Sequence, residues 1–457
     1  MEQTKNILAT ENIRKLFIKM VIPSVIAQLI TLVYNMVDRI FIGHIPEVGS
    51  VALTGIGVCM PITLIISSFA QLVGIGGTPR ASMLLGKNEP DIAERILGTC
   101  TFGLIAVSVI LSAAGLIFSK EILLLFGASE NTLPYALEYM QIYICGTIFS
   151  ELTTGLVAFV TAQGFTITSM KIVVAGAVFN IILDPVFIFA FGMETKGAAL
   201  ATVISQAVSA VWVLVFLCGK KTILKLRKKY IRLNIRLLLP CMALGLSPCS
   251  MVLTECFVSI AFNRSLLQYG GDMAVGTMTI FATIMQIATL PLQGFSQGAQ
   301  PITSYNYGAE RLDRVSSNVK LLIKTSLCYA CILWIIILTA PKILIGIFTN
   351  DTSLINYGAK FIRIYFTTLG ITGIQFSCQN SFLALGNAKI SVFLALLRKV
   401  FLLLPFIYIF PCLFTNQTAA VFLAEPVADT IAGITTLTLF FRVYHKQLFS
   451  KKGYEYE

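Results

Sequence analysis

Asp38, Asp184, Asn180 and Thr202 put two carboxylates, an amide and a hydroxyl inside long apolar runs. An ionisable group in such a setting is costly and marks a working position by default. Asn180 and Asp184 are one helical turn apart and share a face. Asp38 falls near the end of the first apolar run and Thr202 near the start of the sixth. At about 1.5 Å per residue, all four reach a comparable depth. Such a set can share a proton or ligate a small hard cation such as Na⁺ through oxygen. A carboxylate in an apolar cleft is pushed toward its protonated form, a second carboxylate pushes it further, and a cation pushes it back. Proton, Na⁺ and an organic cation would then compete for one negative site. The bland alternative is that the carboxylates cap helix ends: Pro185 follows Asp184 and is expected to break the helix, and Arg39 adjoins Asp38.

Other polar residues suggest a cavity. Gln28 and Asn35 can line one side of the first run together with Asp38, and Tyr139 and Tyr143 are one turn apart on the fourth. Pro23 removes a helix hydrogen bond from the first run and is the candidate hinge. The second half of the chain holds Glu255, Arg398, Lys399, Glu425 and Asp429 at intramembrane positions. Glu425 and Asp429 share a face at about the depth of Arg398, so a paired network is expected. Glu255 and Arg398 are the members of this set expected to face substrate. Glu151 lies deep in the fourth run, on a face that sequence does not assign.

The elements that position these residues are membrane helices. Hydrophobic residues make up 56% and charged residues 12% of the 457, against about 45–50% and about 25% in soluble domains. Twelve apolar spans are expected, near 16–43, 51–79, 92–118, 136–163, 168–192, 196–219, 237–263, 273–303, 316–339, 355–386, 391–412 and 418–442. The net charge of +12 is no sign of nucleic-acid binding, because the Lys and Arg residues concentrate on one side of the spans. That bias is the positive-inside pattern and sets both termini in the cytoplasm. The eleven cysteines show no CxxC pair, and the only histidines, His44 and His445, lie far apart in sequence. These residues offer no nucleophile–base pair and no metal cluster for an enzyme.

The chain also repeats itself. At an offset of 222 residues, Gln71 matches Gln293, Gly76 matches Gly298, Pro79 matches Pro301, Ser82 matches Ser304, Gly86 matches Gly308 and Asp91 matches Asp313. Ala162 and Gly164 match Ala384 and Gly386 at the same offset, and Pro23 has a counterpart in Pro248 at an offset of 225. Six spans per copy is an even number, so both copies start on one side and are related by an axis along the membrane normal. The expected division is a lobe over 1–219, a basic linker over 220–236 and a second lobe over 237–457. Asn180 and Asp184 fall opposite Val400 and Leu404 in the repeat, so the acidic pocket is particular to the first lobe.

The stretches Val33–Gly43 (VYNMVDRIFIG), Gly76–Gly86 (GGTPRASMLLG), Asn180–Pro185 (NIILDP), Gln297–Gly308 (QGAQPITSYNYG) and Leu385–Lys389 (LGNAK) resemble the multidrug and toxic compound extrusion (MATE) family. The resemblance covers nearly the whole chain and is nearest to the MepA-like branch. It implies twelve helices in two six-helix lobes and export of cationic amphiphilic small molecules in exchange for H⁺ or Na⁺. It implies a bacterial inner-membrane protein that works among membrane lipids as a monomer without a cofactor. The family's first-lobe ion-site positions carry over onto Asp38, Asn180, Asp184 and Thr202, its bending proline onto Pro23, and a lobe-lining position onto Tyr139. Glu255 matches an acidic position of a second-lobe Na⁺ site in some members. The aspartate paired with it there aligns near Ile374 and Gln375, where this chain has no Asp. The rival reading is a lipid-linked oligosaccharide flippase of the same superfamily, for which Arg398 and Lys399 are the best support.

Overall fold

The computed structural model describes residues 7–444, and His445 lies outside them. Every element among the described residues is helical. A chain this apolar must satisfy its main-chain groups within each segment, and a helix does so. Nine helices among the described residues are long and apolar enough to cross a membrane, and the pair Leu133–Cys145 and Thr147–Ala162, bent by 56°, makes a tenth. One of the nine, Ile235–Gly308, has 74 residues, too many for one crossing, and reverses at Gly271. The φ of 63° and ψ of −165° there suit glycine alone. Counted as two spans, with Thr352–Tyr365 and Leu369–Ala384 forming the last, the helices number twelve.

We number the spans α1 (Ile13–Gly43), α2 (Gly49–Gly86), α3 (Pro90–Leu125), α4 (Leu133–Cys145 and Thr147–Ala162), α5 (Thr166–Ala190) and α6 (Glu194–Cys218). The second lobe holds α7 (235–270), α8 (272–308), α9 (Leu312–Thr339), α10 (Thr352–Tyr365 and Leu369–Ala384), α11 (Ala388–Leu413) and α12 (Gln417–Tyr444). The stretch left between the spans expected at 237–263 and 273–303 is helical up to the turn at Gly271. One expectation is corrected: Pro185 does not end α5. The helix continues through a π-helical turn, Val186–Ala190, which absorbs the hydrogen bond the proline removes.

Each lobe has its own apolar core. In the first, Leu97, Leu104, Leu156 and Phe159 pack together; in the second, Phe281, Phe361, Tyr365 and Phe422 do. The repeat recurs in detail. Asn88 and Glu310 adopt the left-handed φ values of 62° and 59°, and Gly164 and Gly386 those of 93° and 78°.

The seam between the lobes is made by glycines. A Cβ on Gly86 would strike the carbonyl of Tyr305, and one on Gly308 would strike the carbonyl of Met83. Gly76 abuts Cys241 and Gly245, and Gly298 abuts Met20 and Val21. These four contacts form two pairs exchanged by the repeat. Farther along, Gly245 meets the main chain of Leu72 and Gly294 meets Val25. Gln300 Nε2 donates to Thr78 Oγ1 at 3.4 Å, and Gln28 Nε2 donates to Gln297 Oε1 at 2.9 Å. All these contacts lie on the side of the bundle that holds the linker. Here the linker end of the seam is closed.

The linker itself is pinned. Gln163 Oε1 accepts from Thr222 Oγ1 at 2.8 Å and from the amides of Ile223 and Leu224 at 2.9 and 2.8 Å. Glu94 pairs with Arg227 at 2.7 Å and accepts from the amide of Lys225 at 3.2 Å. Lys229 and Arg95 sit beside the ring of Tyr230 and hold its phenol below its ordinary range.

Candidate functional site

Asn180 is the hub of the first lobe's polar cluster. Its Nδ2 donates to Asp184 Oδ1 at 3.2 Å and to Thr202 Oγ1 at 3.4 Å. The first bond follows from one-turn spacing on α5, and the second joins α5 to α6. Asp184 is fully buried and Asn180 nearly so. Asn180 Oδ1, Asp184 Oδ2 and Asp38 Oδ1 are buried oxygens without a hydrogen-bond partner. Asp38 on α1 lies close enough to Asp184 to act on it electrostatically. Buried oxygens without donors, gathered from α1 and α5, form a set that can take a proton or a hard cation.

A cavity of about 310 Å³ opens beside this cluster, bounded by α1, α2, α4, α5 and α6 and capped by Gln297, Gln300 and Pro301 of α8. Asn180 and Thr202 are in its wall, whereas Asp184 and Asp38 are not. Most other polar groups of the wall are hydroxyls, among them Thr31, Thr153, Thr161, Ser205 and Ser209. Asp184 thus stands behind Asn180, whose amide is bonded to both Asp184 and Thr202 and reaches the cavity wall. Sequence reasoning missed the hydroxyl lining. Its signal was helical spacing, with Thr153, Val157 and Thr161 on one face of α4 and Ser205 and Ser209 on one face of α6.

The other expected residues divide. Gln28 is in the cavity wall and bridges to the second lobe, while Asn35 is exposed and outside the wall. Tyr139 and Tyr143 stack with ring centroids 6.2 Å apart, but both are buried and neither reaches the cavity. Pro23 is buried within an unbroken α1. As a proline it cannot bond the carbonyl of Lys19, and the hydroxyl of Thr166 on α5 donates to that carbonyl at 3.4 Å instead.

Glu255 and Arg398 are in the second lobe, apart from this cavity. Arg398 Nε pairs with Asp429 at 2.5 Å and its Nη2 with Glu425 at 3.2 Å. Lys399 reaches Glu255 at 3.0 Å and Glu425 at 3.7 Å. Arg398, Lys399, Glu425 and Asp429 are buried, whereas the Glu255 side chain is 61% exposed. The paired network is present, so neither cation of α11 is bare.

The MatE family model matches residues 23–186 and 249–409, one stretch per lobe. The chain is 26% identical over 418 residues to the multidrug export protein MepA of Staphylococcus saprophyticus subsp. saprophyticus, covering 92% of this chain and 91% of that one. It is 25% identical over 393 residues to the multidrug export protein MepA of Staphylococcus aureus, covering 86% of each. Among solved structures, an outward-facing multidrug resistance MATE family transporter of the MOP superfamily superposes with a TM-score of 0.90 at 19% identity, covering 98% of both chains. A MATE structure in the bent conformation gives a TM-score of 0.91 at 19% identity, covering 99% of both.

Proposed function

The chain belongs to the MatE family, and from that membership we propose that it is a secondary multidrug efflux antiporter, exporting organic cations in exchange for H⁺ or Na⁺ by alternating access. It is a transporter and not an enzyme. The observation that supports coupling is the Asp184–Asn180–Thr202 chain of hydrogen bonds, which joins a buried carboxylate to a polar cavity.

In this reading the protein spans the bacterial inner membrane as a monomer with both termini cytoplasmic. Its lobes are 1–219 and 237–457, joined by the linker 220–236. The closed linker end then makes the described form outward-facing. A cation arriving from outside loads Asp38 and Asp184, with Asn180 and Thr202 offering further oxygens if the ion is Na⁺. Loading removes the negative charge that held an organic cation in the cavity. α1 then rearranges near Pro23, and the drug leaves outward. The flippase reading loses its support because Arg398 and Lys399 are neutralised by three carboxylates.

The test is efflux of a cationic dye from proteoliposomes with a pH gradient or a Na⁺ gradient imposed separately. One of the two gradients should drive transport in the wild type. Asp38→Asn and Asp184→Asn should each abolish it while leaving folded protein in the membrane. Wild-type efflux in both variants would remove the coupling role from this cluster.

A further inference from the structure

Glu151 is a fully buried carboxylate on α4 that the proposed coupling cluster does not use. No side chain donates a hydrogen bond to its oxygens, and no Lys, Arg or His among the described residues pairs with it. An ionised carboxylate in that setting has no counter-charge and little to replace its hydration.

Its position is specific. Glu151 lies just after the bend between Cys145 and Thr147, against the main chain of Ala70 on α2. Ala70 immediately precedes the π-helical turn Gln71–Ile75. One turn beyond Glu151, Gly155 packs against Gly74 of that turn, where a Cβ on Gly74 would fall 2.3 Å from the Gly155 Cα. The same turn supplies Leu72, whose carbonyl meets Gly245 of α7 in the seam. Cys249, one turn farther on α7, faces Ser68 and lies within electrostatic reach of Glu151. Glu151 therefore sits at the vertex of the seam, where the closed linker end gives way to the opposite half.

The titratable groups around it are few. Tyr143 on α4 and Cys249 on α7 are the ones that couple to it. Arg80 on α2 faces Cys100 on α3 and Cys241 on α7 instead. On α5, Lys171 is exposed and Asp184 is engaged with Asn180. Between Lys196 and Cys218, α6 has no charged residue.

We propose that Glu151 is a second proton site, distinct from the Asp38–Asp184 cluster, whose neutral form holds the linker end of the seam closed. Loss of that proton leaves a charge between α4 and the π-helical turn of α2. The charge is relieved when α2 parts from α7 and water enters at Leu72 and Gly245. Opening toward the linker side is then tied to proton release on that side. The inference rests on the alternating-access reading, but its readout does not require transport.

The test is hydrogen–deuterium exchange of the full chain in lipid nanodiscs, in acidic and in alkaline buffer, corrected for intrinsic exchange rates. In the wild type, peptides covering 70–86 and 241–250 should exchange more in alkaline buffer. Glu151→Gln and Glu151→Leu should both lose that difference and stay at the acidic level, while Glu151→Asp should keep it. Asp38→Asn should keep the difference although it loses transport. A difference that persists in Glu151→Gln, or a seam that is open in that variant at both pH values, overturns the proposal. If Asp38→Asn abolishes the difference and Glu151→Gln retains it, the proton site is Asp38, and the exporter reading stands without Glu151.

Discussion

Ser82 and Ser304, 222 residues apart, make the same hydrogen bond in the two lobes. Ser82 Oγ donates to the carbonyl of Ala162 at 2.9 Å, and Ser304 Oγ donates to the carbonyl of Ala384 at 2.7 Å. All four groups are buried. Both acceptors lie at the last turn of a helix, where the carbonyl has no intrahelical donor. Each bond ties the second helix of a lobe to its fourth, beside the glycine seam.

The duplication predicts matched losses. Ser82→Ala and Ser304→Ala each strand a buried carbonyl, a cost of about 1–3 kcal/mol. Thermal unfolding of the purified protein should show two similar decreases. A large decrease for one and none for the other would mean that the repeat is preserved in geometry but not in energy.

Thr166 is expected to set the shape of α1. Its hydroxyl occupies the carbonyl that Pro23 leaves free on Lys19. Thr166→Val keeps the volume and removes the donor, worth about 1 kcal/mol. The straight form of α1 loses that support, so spin labels on α1 and α5 should report a larger bent population. Unchanged distance distributions would assign α1's shape to packing alone.

Arg398→Met should be among the most damaging substitutions in the second lobe. It leaves Glu425 and Asp429 buried without the guanidinium that pairs with both. Breaking a buried network by removing one partner costs about 3–5 kcal/mol. Adding Glu425→Gln and Asp429→Asn to Arg398→Met should recover much of that loss. Failure to recover any of it, measured by thermal unfolding, would show that the arginine's packing matters more than its charge.

Gln163 should control the linker. Its Oε1 serves three donors of residues 222–224, and its Nε2 donates to the carbonyl of Phe159 at 3.1 Å. Gln163→Ala frees that segment from the end of α4. Trypsin should then cleave at Lys225, Arg227 or Lys228 faster than in the wild type. Equal cleavage rates would mean that Glu94 and its pair with Arg227 suffice to hold the linker.

The twelve spans and the two-copy design were legible in the chain because they are written in one dimension. Apolar length counts crossings, and an offset of 222 aligns turns whatever their neighbours are. The reversal at Gly271 was not legible as a sharp turn, because the flanking residues favour helix and only a single glycine φ makes the break. Pro185 misled for a related reason: proline signals a lost hydrogen bond, but whether the helix ends or bulges depends on what packs around it.

Sequence alone determined which residues are costly in a membrane. It named Asp38, Asn180, Asp184 and Thr202, and helical spacing alone put Asn180 on the face of Asp184. Tertiary structure decided what stands between them and the cavity, since hydrogen bonds from α5 to α6 depend on how the helices pack. It also separated Asp184, reached through Asn180, from Glu151, which has no side-chain partner. Two carboxylates that look alike in an apolar run differ only in their surroundings. Those surroundings come from residues distant in sequence: Thr202 lies on α6, and the π-helical turn beside Glu151 lies on α2.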